Sequence, residues 1–190
     1  MRQAAVLALD LATTTGWALH RPGMERPHFD SFKLPGGPNA VGEPLHALEC
    51  WLREMAIDER ATGGISHFFF EDQHVSQNPR TAYRLIGLGA LVEKFAYQTK
   101  AHAYCVGIGE WRKHFLGRGG GFKRDKTKPG NPYLPGHDPK ELAIQRCAQY
   151  GWFTDVHDAA EACGILDYGL SLFENYHRPW RDKALLGGSR

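Results

Sequence analysis

AAVLALDLATTTG, residues 4–16, is an apolar run with one acid, Asp10, set inside it and hydroxyl-rich turn residues behind it. The stretch from Ala4 to Leu11 is short and bounded by turn signals, so it predicts a buried strand rather than a helix. A carboxylate within such a strand costs several kcal/mol unless a cation or a metal ion partners it or its protonation changes. The plainer alternative is that Asp10 marks the point where the strand reaches water.

Reading outward, Thr13-Thr14-Thr15-Gly16 is turn material and Gly16 to Leu19 resumes the apolar pattern, which predicts a hairpin with a third strand near His28 to Leu34. Pro35-Gly36-Gly37-Pro38 is a break. From Pro44 to Ala61, Leu45, Leu48, Trp51, Leu52, Met55 and Ala56 recur at helical spacing. Ile65 to Phe70 (ISHFFF) reads as another buried strand running into Glu71-Asp72, and Asn78-Pro79 opens a helix to Thr99 with Ala82, Leu85, Leu88, Leu91, Val92 and Phe95 on one face. A strand at Ala103 to Ile108 and a short helix at Glu110 to Leu116 follow. Residues 117–137 hold six glycines and three prolines and predict a flexible insertion. Asp138-Pro139 starts a helix to Tyr150, a last helix runs from Asp155 or Val156 to Asn175, and residues 177–190 form a polar tail. Three strands followed by helix–strand alternation predict an α/β fold, a mixed sheet flanked by helices within one domain over residues 1–176.

A formal net charge of +2 conceals an uneven distribution. Between Arg112 and Lys128 stand seven basic residues and one acid, so this segment carries +6 and the remainder −4. A basic segment on a mildly acidic body suits a polyanionic partner, or else a solvated loop that serves solubility. Cys50, Cys105, Cys147 and Cys163 show no CxxC spacing and no secretory leader precedes them, which points to reduced thiols in the cytoplasm and against structural zinc. No apolar run nears the roughly 18 residues of a membrane span.

Glu71 repeats the situation of Asp10, a carboxylate placed just where an apolar strand ends. Asp155-Val-His157-Asp158-Ala-Ala-Glu161-Ala then begins the last helix, with Asp158 and Glu161 three apart on one face and Ala159, Ala160 and Ala162 small enough for close approach to a sheet. Acids in a first helical turn are favoured by the helix dipole without further purpose. Like charges on a packed face nevertheless repel unless a cation lies between them. Carboxylates from two strand ends and one helix start form an oxygen-rich set suited to Mg²⁺ or Mn²⁺, and to phosphoryl chemistry by two ions, one activating water and the other stabilising the leaving oxygen.

Asp10 in the first strand, Glu71 ending the fourth, and Asp158-Ala-Ala-Glu161-Ala on the last helix resemble the RuvC family of Holliday-junction resolvases, most closely its divergent phage and bacterial endonucleases. Glu71 followed by Asn78 and Thr81-Ala82 is similar to the family's passage from catalytic strand into dimerisation helix, and Lys140 stands where the family carries a basic residue near the scissile phosphate. The resemblance implies an RNase H-like fold, a homodimer joined by the helix from Asn78 to Thr99, two Mg²⁺ or Mn²⁺ ions held by Asp10, Glu71, Asp158 and Glu161, and structure-selective cutting of branched DNA to leave a 5′-phosphate nick. It also implies a junction-wedging role for the loop after Glu71, which holds His74. His157 stands where it could approach the ions or replace Asp158 as the fourth ligand, although a lone histidine, His74 or His157, is more often a satisfied surface or core residue. Arg118, Lys123, Arg124, Lys126 and Lys128 then track the DNA backbone. Glu161 departs from the family's usual Asp by one methylene, and the basic insertion is longer than the family's pattern. No organic cofactor is expected.

Two other readings use the same residues. Asp10-Leu-Ala-Thr-Thr-Thr-Gly16 also resembles the first phosphate loop of actin-like ATPases and sugar kinases, but no second glycine-rich phosphate loop is visible. A non-catalytic module that binds branched DNA through the basic loop would need none of the four carboxylates.

Overall fold

The computed structural model describes residues 4–37, 39–72, 78–173 and 176–186, the last four of these by their backbone alone. Its strands are β1 (Ala5–Asp10), β2 (Thr14–His20), β3 (His28–Lys33), β4 (Ile65–Glu71) and β5 (His102–Val106), joined in one sheet of order β3-β2-β1-β4-β5. The first three run antiparallel in succession, and β4 and β5 are added parallel to β1. The helices among the described residues are α1 (Gly42–Arg60), α2 (Pro79–Thr99), α3 (Ile108–Leu116), α4 (Pro139–Gln149), α5 (His157–Ser171) and α6 (Pro179–Leu186). This is the mixed α/β sheet with flanking helices that the strand and helix pattern predicts. No helix among the described residues is long and apolar enough to cross a membrane.

β1 is apolar from Ala5 to Leu9 because it lies at the centre with helices on both faces. Val6 and Ala8 pack with Phe69, Trp111, Phe115 and the α5 residues Ile165 and Leu166, whereas Leu7 and Leu9 pack with Phe68, Phe70, Leu48 of α1 and Leu88 of α2. Successive strand residues face opposite ways, so the sequence alternates between two cores rather than between core and water.

Local capping chemistry sets two helix starts as expected. The Asn78 side chain accepts from the Arg80 N–H, the Asp138 side chain accepts from the Lys140 N–H, and a proline follows each cap. Elsewhere the boundaries move. β2 begins at Thr14, inside the expected turn, because it pairs on both sides: Asp10 opposes Gly16, and Thr14 and Thr15 oppose Lys33 and Phe32. α5 ends at Ser171, short of Asn175, which lies outside the described residues.

The expected polar tail is corrected more fully. It contains α6, whose Trp180 is 1% exposed, meets Trp152 edge-on at 4.9 Å and donates its indole N–H to Asp167 Oδ1 at 2.8 Å. The segment is polar in composition, but it docks through one buried indole and through Arg178 and Arg181, all of which meet the buried Asp167. Residues 117–137 form no helix or extended strand. They make turns and one isolated bridge, Arg124 to Tyr133.

Candidate metal centre

Two registers bring the strand acids together. Asp10 follows Val6 and Ala8 onto the α5 side of the sheet, and Glu71 follows Phe69 onto the same side. Leu9 pairs with Phe70 in the parallel β1–β4 ladder, so each strand ends in its acid one residue further on.

α5 is brought to them by an absence of side chain. Gly16 on β2 faces the start of the helix, and a Cβ there would come within 1.9 Å of the Asp158 carbonyl oxygen. Ala159, Ala160 and Ala162 continue the close contact, each no more than 1% exposed. The helix therefore enters the sheet with Asp158 and Glu161 turned toward the end of β1. Carboxylate oxygens of Asp10, Asp158 and Glu161 all lie within 4.8 Å of one another.

Three carboxylates this close need positive charge between them. Desolvation, followed by the charges of Glu161, Glu71 and Asp158, pushes the Asp10 carboxyl well above the ordinary carboxylate range, and the Lys140 ammonium acts the other way. Lys140 Nζ stands 3.8 Å from Asp158 Oδ1 and 3.9 Å from Glu161 Oε2. Arg112 of α3 donates to Glu161 Oε1 at 2.9 Å. The donor set is all oxygen and the acids outnumber their cations, which is the chemistry that holds a hard divalent ion such as Mg²⁺ or Mn²⁺.

Glu71 stands beside this trio rather than within it. It lies near enough for its charge to act on Asp10, while its Oε2 accepts the Trp111 indole N–H at 2.6 Å. His157 is the exposed first residue of α5 and does not join the close group, and His74 lies outside the described residues. Of the basic loop residues, Lys123, Arg124, Lys126 and Lys128 are exposed. Arg118 is partly buried and donates to the Gly136 carbonyl at 2.5 Å, and Arg124, over the Tyr133 ring, donates to that of Asn131 at 3.1 Å. These two arginines thus also shape the loop. Two hydroxyls of the possible phosphate loop are engaged by the protein itself: Thr13 accepts from Arg84 and Thr15, which is buried, donates to the Ala12 carbonyl.

Sequence reading passes over Trp111, Arg112 and Gly16. Arg112 is counted there only as one basic residue of a cluster, and Gly16 only as a turn. No local signal marks Trp111 or Arg112, because their partners Glu71 and Glu161 lie 40 and 49 residues away in the chain.

No protein-family model matches the chain, and no curated protein matches it at a significant level. Solved structures do. RuvC of Thermus thermophilus superposes with a TM-score of 0.56 at 15% identity, over 85% of this chain and 90% of that one. The same protein in complex with a Holliday junction substrate gives 0.59 at 15% identity with the same coverage. The yeast mitochondrial Holliday junction resolvase gives 0.54 at 10% identity, over 97% of this chain and 82% of that one. What is shared at these identities is the path of the chain, and by that measure the protein has the RuvC-like resolvase fold, a mixed RNase H-like sheet with flanking helices.

Proposed function

We propose that this protein is a metal-dependent endonuclease acting on branched DNA, four-way junctions foremost, as a single nuclease domain. The observation that carries the reading is the meeting of Asp10, Asp158 and Glu161 at the end of the central strand, fronted by Lys140. The fold likeness to a protein seen with a Holliday junction substrate supports the choice of DNA.

In this reading Asp10, Asp158 and Glu161, with Glu71 beside them, hold two Mg²⁺ or Mn²⁺ ions, and His157 is a further candidate ligand at the rim. The ions, when bound, supply an activated water and counter-charge for the departing 3′ oxygen, leaving a 5′-phosphate nick. Lys140 has a side chain 49% exposed, so its ammonium can reach a phosphate while still facing Asp158 and Glu161; its part is to offset charge on the transferring group. Lys123, Arg124, Lys126 and Lys128 follow the DNA backbone without reading bases, assisted by Arg118, and His74, which lies outside the described residues, is kept as the candidate to meet the branch point. α2 leaves Tyr83 63% and Ile86 52% exposed, three residues apart on one face, which suits a homodimer that cuts two opposed strands.

The test is cleavage of an end-labelled four-way junction beside matched linear duplex, with Mg²⁺, Mn²⁺ or EDTA. Metal-dependent symmetric nicks in the junction, absent from Asp10→Asn, are the expected result. Tight junction binding with no cleavage would assign a recognition module, and neither binding nor cleavage would leave only the fold.

A further inference from the structure

Arg112 is the best-placed cation in the structure for which the proposed chemistry has no use. Its guanidinium donates to Glu161 Oε1 at 2.9 Å, with side chains 16% and 6% exposed. Among the described residues its buried Nε has no hydrogen-bond partner, and its guanidinium lies near two aromatic rings, Trp111 at 5.2 Å and Phe122 of the basic insertion at 5.8 Å from the ring centroids. A guanidinium held by one hydrogen bond and braced by rings keeps its charge in place without being locked by a bidentate pair. The other Glu161 oxygen faces Lys140 at 3.9 Å. Both oxygens of this carboxylate are therefore turned to protein cations.

Formal charge then limits how many ions the cluster takes. With all four carboxylates deprotonated, as metal ligation requires, Asp10, Glu71, Asp158 and Glu161 against Arg112 and Lys140 leave −2, which one divalent ion balances. A second ion would leave an excess of +2 in a partly buried site until a phosphodiester entered. Resting on the metal-centre reading above, we infer that Arg112 is an internal counter-cation for Glu161 that restricts the DNA-free protein to one divalent ion and reserves the second for the DNA-bound state. Arg112 touches neither DNA nor reacting atoms in this scheme. It is a positioning residue that acts through Glu161, and the contact of Phe122 with it places the basic insertion next to that control.

The experiment counts Mn²⁺ bound per chain in the absence of DNA, by electron paramagnetic resonance of free Mn²⁺ and by calorimetry. Wild type is expected to bind one ion, Arg112→Met two, and Arg112→Lys, which restores the charge, one. If Arg112→Met does not fold, Arg112→Gln keeps a donor for Glu161 without the charge and carries the same expectation of two. Two ions on the wild type, or one on a folded neutral variant, would overturn the inference and leave the metal centre standing. No Mn²⁺ on the wild type would overturn the metal centre itself, and the role of Arg112 with it.

Discussion

The indole N–H of Trp111 donates to Glu71 Oε2 at 2.6 Å, so a fully buried side chain of α3 fixes the orientation of the acid that ends β4. A hydrogen bond to a charged group contributes about 1.5–3 kcal/mol. Trp111→Phe removes the donor and also shrinks a fully buried ring, so its unfolding free energy is measured beside its cleavage. Under the proposed function the expected loss is about tenfold or more in single-turnover cleavage, since ~1.4 kcal/mol of misplaced ligand is a factor of ten. Mn²⁺ affinity should fall with it. Unchanged cleavage in a folded Trp111→Phe protein would show that Glu71 is held adequately by its other contacts.

Gly16 makes a sharper structural prediction. A methyl group at this position meets backbone, the Asp158 carbonyl oxygen at 1.9 Å and the Ala159 nitrogen at 2.9 Å, so no flexible side-chain end can swing away. Overpacking costs typically about 1–3 kcal/mol where side chains yield, and more where they do not. Gly16→Ala should therefore lower the urea unfolding free energy by at least ~3 kcal/mol and displace the start of α5 from the acids. Gly37→Ala is the control, because a Cβ there has nothing within 4 Å. Equal midpoints for the two variants would contradict the close approach of α5 to β2.

The contrast between these residues and the ones legible beforehand has a physical basis. Asn78-Pro79 and Asp138-Pro139 announce their helices because caps act over two or three residues. Asp10 and Glu71 stand out because an acid within an apolar run conflicts with its own neighbours. Trp111 and Arg112 reach partners 40 and 49 residues away, and neither conflicts with anything nearby. Gly16 is a turn residue by composition and a strand residue by pairing, since β2 is fixed by β1 and β3 together. Asp167 could have been found. It is an acid inside the apolar stretch GILDYGL, and the reasoning applied to Asp10 asks for its cations, which Arg178 and Arg181 of the supposed tail provide.

Asp167 gives a pH prediction of definite sign. It is fully buried, and burial acts to raise its pKa, but hydrogen bonds from His114, Arg181 and Trp180 and the charge of Arg181 outweigh this and hold it at about 2. A carboxyl depressed below its ordinary value of 3.8 binds fewer protons folded than unfolded. Its contribution is thus complete above that value and drains away as pH falls from there through about 2. The difference corresponds to roughly 2 kcal/mol. Asp167→Asn should be less stable at pH 6, and its stability should fall less steeply between pH 4 and pH 2.5 than that of wild type. Parallel curves would mean that other carboxylates govern acid unfolding.

The basic insertion separates residues that shape the loop from residues that face solvent. Arg124 lies over the Tyr133 ring and donates to the Asn131 carbonyl, and Lys128 stands 3.6 Å from Asp125. Lys123 and Lys126 are exposed with no ion pair among the described residues, so replacing both by Ala changes charge with the least disturbance of the loop. If both contact phosphates, the slope of log K against log[salt] should flatten by nearly 2, because each neutralised phosphate contributes about 0.9. The loss should be similar on junction and on linear duplex, as expected of side chains that meet backbone rather than bases. An unchanged slope would remove the loop from the DNA interface. A loss confined to the junction would give these two lysines a part in recognising the branch.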